Sequence, residues 1–193
     1  DIGSWIGPTV IYAAQLCKHV YCFEPDEIAY PFLLSNLKMN EIGNVSPHAI
    51  AIGTADADIQ MASHGGRIGD SMTSMVNLPE TDDVISVRSV KWDTWHEQSG
   101  SPVIDFIKMD IEGGEVEVIP DMIDYLKKEK PFLHLSVHGR YLRASDRKEK
   151  LERMFSLLGI YENCYDEKMN RVSMDDQLIN KAMDSFLSFL FIP

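Results

Sequence analysis

The sequence predicts an α/β protein: a mostly parallel sheet with helices on both faces and an antiparallel strand at its C-terminal end. Three observations predict it. Short apolar runs alternate with helical apolar stripes along the chain, the pattern of successive βαβ units. Two of the runs end in an acid, Glu24 and Asp110, which puts carboxylates at the edge where parallel sheets bind ligands. The chain opens with Asp1-Ile2-Gly3-Ser4-Trp5-Ile6-Gly7, the composition of a strand end turning sharply into a helix.

Residues 8–18 read as that helix. Pro8 suits its first turn, and Val10, Ala13, Ala14 and Cys17 form a stripe. Residues 19–24 are a short buried strand with Val20, Tyr21, Cys22 and Phe23 in a row. Pro25 and Asp26 open the next helix, in which Ile28, Phe32, Leu33 and Leu37 recur to about Asn40. Pro31 fits only a first turn or a bend, so this helix is expected to start late or to bend. Gly43-Asn44 is a turn, and residues 45–52 are a third strand interrupted by Pro47.

Residues 58–62 and 84–90 read as shorter strands. Between them, from about residue 63 to residue 77, lies a loop rich in Gly, Ser and Met. A loop that long is more often functional than idle, though a plain connection has the same composition. Trp92–Gln98 is a short helix, and residues 103–110 are an apolar strand. Residues 115–128 are a helix broken at Pro120, and residues 131–137 alternate like a strand. Residues 145–158 give the clearest helix. Ser145 stands at the N-cap position, Leu151, Met154, Phe155 and Leu158 form the stripe, and Gly159 is the stop. Residues 160–165 and Phe186–Ile192 are strands, with a short helix at 174–183. That segment is too short for a convincing parallel crossover, which is why the last strand is expected to be antiparallel.

The 193 residues form one domain, 1–193, with composition ordinary for a core-forming globular chain. The net charge of -12 speaks against nucleic acid or an anionic membrane surface as partner. A neutral or cationic ligand is electrostatically easier. Cys17, Cys22 and Cys164 have no metal-ligand spacing and are odd in number. Reduced, buried thiols in a cytoplasmic protein are therefore expected. No apolar run approaches the roughly 20 residues of a membrane span.

The candidate chemistry begins at the opening turn. Gly3 and Gly7 let the backbone pass close to a ligand, and the following helix points free N–H groups at it. The same glycines would also serve simple helix–strand packing. A dinucleotide fingerprint needs glycine where Trp5 stands, so a ligand without a pyrophosphate fits better. Glu24 lies seventeen residues after Gly7. A carboxylate there can accept both hydroxyls of a ribose; otherwise it is a solvated acid capping the next helix. The cluster Asp110, Glu112 and Glu115 has three readings: a general base for a hydroxyl acceptor, oxygen ligands for a divalent cation, or acids favoured at a helix N-terminus. His134 and His138 lie on a strand, roughly 13 Å apart, and cannot share one metal ion. His138 alone ends that strand on the edge of Asp110 and could take a proton; a loop-capping histidine is the alternative. Arg67, in the long loop with His64, Asp70 and Ser71, could meet a carboxylate or phosphate of a ligand. An ordinary hairpin tip explains the loop as well.

Several blocks in order give the chain its resemblance to a known family. Asp1 to Gly7 open it, and Phe23-Glu24-Pro25 follow. Asn36, Leu37 and Asn40 then end a helix, and Ala49-Ile50-Ala51-Ile52-Gly53 form a strand block. Trp92-Asp93 and the run Ile107-Lys108-Met109-Asp110-Ile111-Glu112-Gly113-Gly114-Glu115 come next, with Phe189 to Pro193 closing. Together they resemble the FkbM-type S-adenosylmethionine-dependent methyltransferases, across essentially the whole chain. Trp92 stands where that family usually has leucine, and His138 near a point where it often has an acid.

The resemblance implies a Rossmann-like methyltransferase fold and S-adenosylmethionine as cofactor. It implies Gly3, Ser4 and Gly7 under the amino-acid half, Asp1 orienting it, Glu24 with Pro25 at the ribose, and Ala51 beside the adenine. Asp110 would face the methionine end and the acceptor. Asp110 or His138 would act as base, and a divalent cation on Asp110 and Glu112 is a further option. The acceptor would be a hydroxylated small molecule, a sugar or natural product, methylated on oxygen. Two other readings stand beside this one: a nicotinamide-dependent oxidoreductase, and a non-catalytic cofactor-sensing or docking domain of a larger protein. Asp1 should end the central strand of such a sheet, so that strand is expected to be missing from this chain.

Overall fold

Ile2 makes parallel bridges on both sides, to Phe23 and to Met109. Its N–H donates to Lys108 O at 2.9 Å, and Asp110 N–H donates to Ile2 O at 3.0 Å. On the other side Phe23 N–H donates to Asp1 O at 2.9 Å. Two residues thus occupy the position between two strand pairs. The computed structural model describes residues 1–76, 78 and 84–193. The end of the 63–77 loop, Asn77, lies outside the described residues.

On one side of Ile2, β1 (Val20–Phe23) pairs in parallel with β2 (Val45–His48). Helices α1 (Pro8–Ala14) and α2 (Ala29–Met39) precede and follow β1. On the other side are β7 (Phe106–Met109), β8 (Phe132–His138), β10 (Phe186–Ile192) and β9 (Asn163–Asp166), in the order β7-β8-β10-β9. A further sheet, ordered β3-β6-β4-β5, holds β3 (Ala51–Gly53), β4 (Asp58–Ser63), β5 (Thr73–Ser74) and β6 (Val84–Lys91). The remaining helices are α3 (Trp92–Gln98), α4 (Glu115–Asp121), α5 (Ile123–Glu129), α6 (Arg147–Leu158) and α7 (Asp176–Asp184).

Alternation along β1 explains its two covers. Val20 and Cys22 pack with Val10, Leu33 and Leu37 of α1 and α2. Phe23 turns to the main core, with Trp92 and Trp95 of α3. A strand buried on both faces needs the continuous apolar run seen in the sequence. Phe189 and Phe191 of β10 are buried against β8 and β9, each contributing about 2–3 kcal/mol.

The α/β class and the antiparallel last strand hold: β10 runs antiparallel to both neighbours. The mostly parallel single sheet does not. β1–β2, β3–β6 and β7–β8 are parallel, whereas β4 runs antiparallel to β5 and β6. The reason lies partly at Pro47. It interrupts the predicted third strand, as expected, but the two pieces then go to different sheets, β2 to β1 and β3 to β6. Helix α2 starts late, at Ala29, so Pro31 falls in its first turn. The break at Pro120 separates α4 from α5 at Met122. Ser145 is not the cap of α6; Asp146 holds that position without a side-chain cap bond. Cys22 and Cys164 are buried, but Cys17 is exposed. No helix among the described residues is long and apolar enough to cross a membrane.

Candidate active site

A cavity opens at the C-terminal ends of β1 and β7, beneath the turn that follows Ile2. Gly3 and Trp5 form one wall, Glu24 and Pro25 another, with Ala51 beside them and Asp110 and Glu112 at the far end. Six separated stretches of chain meet there. Of the residues expected at a ligand, Gly3, Glu24, Pro25, Ala51 and Asp110 line this cavity.

Glu24 is buried, and backbone donors hold its carboxylate. Oε2 accepts Trp5 N–H at 2.7 Å, and Oε1 accepts Asp26 N–H at 2.9 Å. Burial raises its pKa to about 7, against the lowering effect of those two bonds. Each oxygen keeps a lone pair for a further donor. Trp5 has a positive φ of 48°, and this turns its N–H onto Glu24.

The two glycines of the opening turn do different work. Gly3 (φ +83°) lies against the end of β7: a Cβ there would sit 1.9 Å from the Asp110 carbonyl oxygen. Gly7 (φ +91°) caps α1, and its missing Cβ leaves room for Leu33, which would otherwise lie 2.5 Å away. Gly7 therefore serves helix packing, away from the cavity. Ser4 is also turned away, its hydroxyl donating to Phe23 O at 3.0 Å. Asp1 lies behind the wall: Oδ1 pairs with Lys108 Nζ at 3.0 Å, and Oδ2 accepts from the Thr9 hydroxyl. Lys108 also donates to Gly3 O at 2.7 Å and approaches Asp110 at 3.8 Å. Burial lowers its pKa, opposed by the nearby carboxylates.

His138, at the end of β8, faces three carboxylates. Its Nδ1 lies 2.8 Å from Glu115 Oε1, and its Nε2 lies 3.5 Å from Asp110 and 3.4 Å from Glu112. Burial works to lower its pKa, but the Glu115 hydrogen bond and the three negative charges outweigh it and raise it to about 9. Among these acids the ring is held mainly as an imidazolium at neutral pH, without a lone pair to take a proton. Glu112 is pushed up to about 7 by burial, with His138 opposing. Its φ of 54° is in the left-handed region, and the residue is held there by the Ser74 hydroxyl donating to its carbonyl at 2.6 Å.

The long loop closes the other side of the cavity. Asp70, Ser71, Thr73 and Met75 line it, while Arg67 is exposed at the tip. The Trp5 indole N–H donates to Gly69 O at 3.0 Å. Asp26 Oδ2 accepts Gly69 N–H at 2.7 Å and the Thr73 hydroxyl at 3.2 Å. Its Oδ1 accepts the Ile28 and Ala29 N–H groups at the start of α2. His64 stacks on Tyr141, with ring centroids 4.0 Å apart.

Asp26, Lys108 and the role of Glu115 escaped the sequence reading. An Asp three residues before a helix start is a capping signal, and it pointed to Oδ1 only. Lys108, a lone cation two residues before Asp110, shares its strand face, which was a usable hint. Glu115 does sit in the first turn of α4, as the helix-end reading had it, but it is fully buried and bonded to His138 and Ile111.

Residues 1–166 match the family model described as "Methyltransferase FkbM domain". Among solved structures, the chain is similar to the crystal structure of a methyltransferase FkbM from Methylobacillus flagellatus KT, with a TM-score of 0.58 and 20% identity. The similarity covers 99% of this chain and 42% of that one, so the chain spans less than half the length of that protein. A search of curated proteins finds no match.

Proposed function

This chain belongs to the methyltransferase FkbM family, and from that premise we propose that its cavity binds S-adenosylmethionine and that a methyl group passes to an oxygen of a hydroxylated small molecule, a sugar or natural product. One observation carries the reading: Gly3, Glu24 and Asp110, from three separate stretches of chain, share one cavity. Glu24 receives the two ribose hydroxyls on lone pairs that its backbone donors leave free. Pro25 and Ala51 flank the adenine. Gly3 admits the methionine half beside Asp110, whose carboxylate suits the sulfonium. Asp1 and Ser4 act from behind, bracing the turn. S-adenosylmethionine supplies an electrophilic methyl when bound; the chain supplies alignment of donor and acceptor.

The carboxylates at the end of the cavity suit an acceptor that loses a proton as its oxygen is methylated. Glu112, held near neutrality, and Asp110 stand at that end. His138 is positioned beside both rather than open as a free base. The test is calorimetric titration with S-adenosylhomocysteine and, separately, NADH. Saturable binding of the first, lost in Glu24→Ala, supports the reading. Binding of NADH alone overturns it.

A further inference from the structure

The segment between β4 and β5 is anchored at its ends and lightly held between them. Ala62 pairs with Ser74 and Ser63 with Thr73, and both Ser63 and Ser74 are buried. Residues 64–73 are all partly or fully exposed. A segment that buries so little side chain has little local stability against opening. It nevertheless keeps its own shape. Asp70 accepts the Ser63 hydroxyl at 2.7 Å and Met72 N–H at 2.8 Å, and His64 N–H donates to Met72 O at 3.0 Å. These bonds let the segment move as one piece, a flap hinged at Ser63 and Ser74.

The bonds from the flap to the opening turn and to α2 converge on Gly69. Its carbonyl accepts the Trp5 indole N–H at 3.0 Å, and its N–H donates to Asp26 Oδ2 at 2.7 Å. Its φ of +91° is one that glycine adopts freely, and its bare Cα seats on Ile28, where a Cβ would lie 2.7 Å from Cγ2. Closed in this way, the flap leaves little room. Asp70, Ser71 and Thr73 stand over the cavity, which holds about 50 Å³, whereas small-molecule sites hold about 300–1,000 Å³. Gly3, Glu24 and Asp110 on the other walls are tied by backbone bonds to the ends of paired strands, so the flap is the wall that can give. Trp5 joins it to the ligand's place: its backbone N–H bonds Glu24 and its indole bonds Gly69.

We propose that residues 64–73 gate the cavity. The latch of Trp5 and Asp26 on Gly69 releases before a nucleoside-sized ligand enters, and it re-forms over the ligand held on Glu24. Trp5 and Asp26 are positioning residues in this scheme, acting on the ligand through Gly69. The gate regulates the site of the methyl-transfer reading and rests on that reading for the identity of its ligand. A site that must open first takes up ligand no faster than it opens.

The experiment has two arms on the full chain. In the first, amide exchange is measured without ligand in wild type, Trp5→Phe and Gly69→Ala. Trp5→Phe removes the indole bond and keeps the backbone bond to Glu24; Gly69→Ala unseats the flap and leaves every side chain that lines the cavity in place. Exchange at residues 64–73 should quicken about 5-fold in Trp5→Phe, as the loss of one neutral hydrogen bond implies, and at least as much in Gly69→Ala, with β7 and β8 unchanged. In the second arm, stopped-flow tryptophan fluorescence follows S-adenosylhomocysteine binding to wild type and Gly69→Ala. The wild-type rate should converge at high ligand on a concentration-independent limit, the opening rate, and Gly69→Ala should raise that limit at least about 5-fold. A wild-type rate that climbs linearly with ligand throughout overturns the gate, as does exchange at 64–73 that neither variant alters. If S-adenosylhomocysteine does not bind, the cofactor reading falls by itself, and the exchange arm still decides the latch.

Discussion

Gly3 lies against the Asp110 carbonyl so closely that a Cβ at Gly3 would fall 1.9 Å from that oxygen. The contact joins the opening turn to the end of β7 and sets the cavity's inner wall. Gly3→Ala combines overpacking against backbone with a left-handed φ, at a cost of about 2–4 kcal/mol. Gly43 has an ordinary φ and nothing within 4 Å of its Cβ position, so Gly43→Ala is near neutral. Urea denaturation of the two variants checks this; equal stabilities refute the close-approach argument.

Glu24 couples ligand affinity to pH. Ribose hydroxyls donate to the ionised carboxylate, and its pKa is raised to about 7. S-adenosylhomocysteine affinity should therefore rise with pH through about 7 and then level off. Glu24→Gln loses charge-assisted bonds of about 1.5–3 kcal/mol, a drop of about 10- to 100-fold, together with the pH dependence. Titrations in buffers across that range decide it.

Ligand-free stability should fall as pH rises. Glu24 moves from 4.5 to about 7 on folding; its charge is penalised in the folded state, so stability is lost between those values. That loss is about 3 kcal/mol. His138 moves from 6.5 to about 9; its stabilisation is complete below 6.5 and lost as pH rises through 9. Thermal melts with chelator present should show the midpoint falling across both windows. In Glu24→Gln the lower window shrinks, leaving the share of Glu112, which is raised to about 7 as well, and the upper one remains. A midpoint that climbs with pH contradicts the assignment.

Asp26 ties the loop over the cavity to the start of α2, with four donors on one carboxylate. Asp26→Ala removes the cap of α2, worth about 1 kcal/mol, and leaves Gly69 N–H without its acceptor. Amide exchange should accelerate at residues 64–73 and at 28–30 together. Thr73→Val removes one bond and should affect the loop alone. If Asp26→Ala loosens the helix start without the loop, the clasp does not exist.

Features set by local physics can be read along the chain. Apolar runs too short for helices became β1, β7 and β8, and the stripe Leu151, Met154, Phe155, Leu158 became the buried face of α6. Pro31, Pro47 and Pro120 marked a late helix start, a broken strand and a helix break, because a missing N–H and a fixed φ act where they stand. Glu24 and Asp110 were legible as site residues because a strand-end position shows in the run that precedes it. Which segments pair is fixed by the folded arrangement alone. It sent the two halves of the Pro47-broken strand to different sheets, and it made four of the seven described strand pairings antiparallel. It also brought Asp26 to Gly69, Asp1 to Lys108 and Glu115 to His138. Those contacts join residues 43, 107 and 23 positions apart. Nothing in the neighbourhood of either partner encodes them; they depend on which strands the core brings side by side.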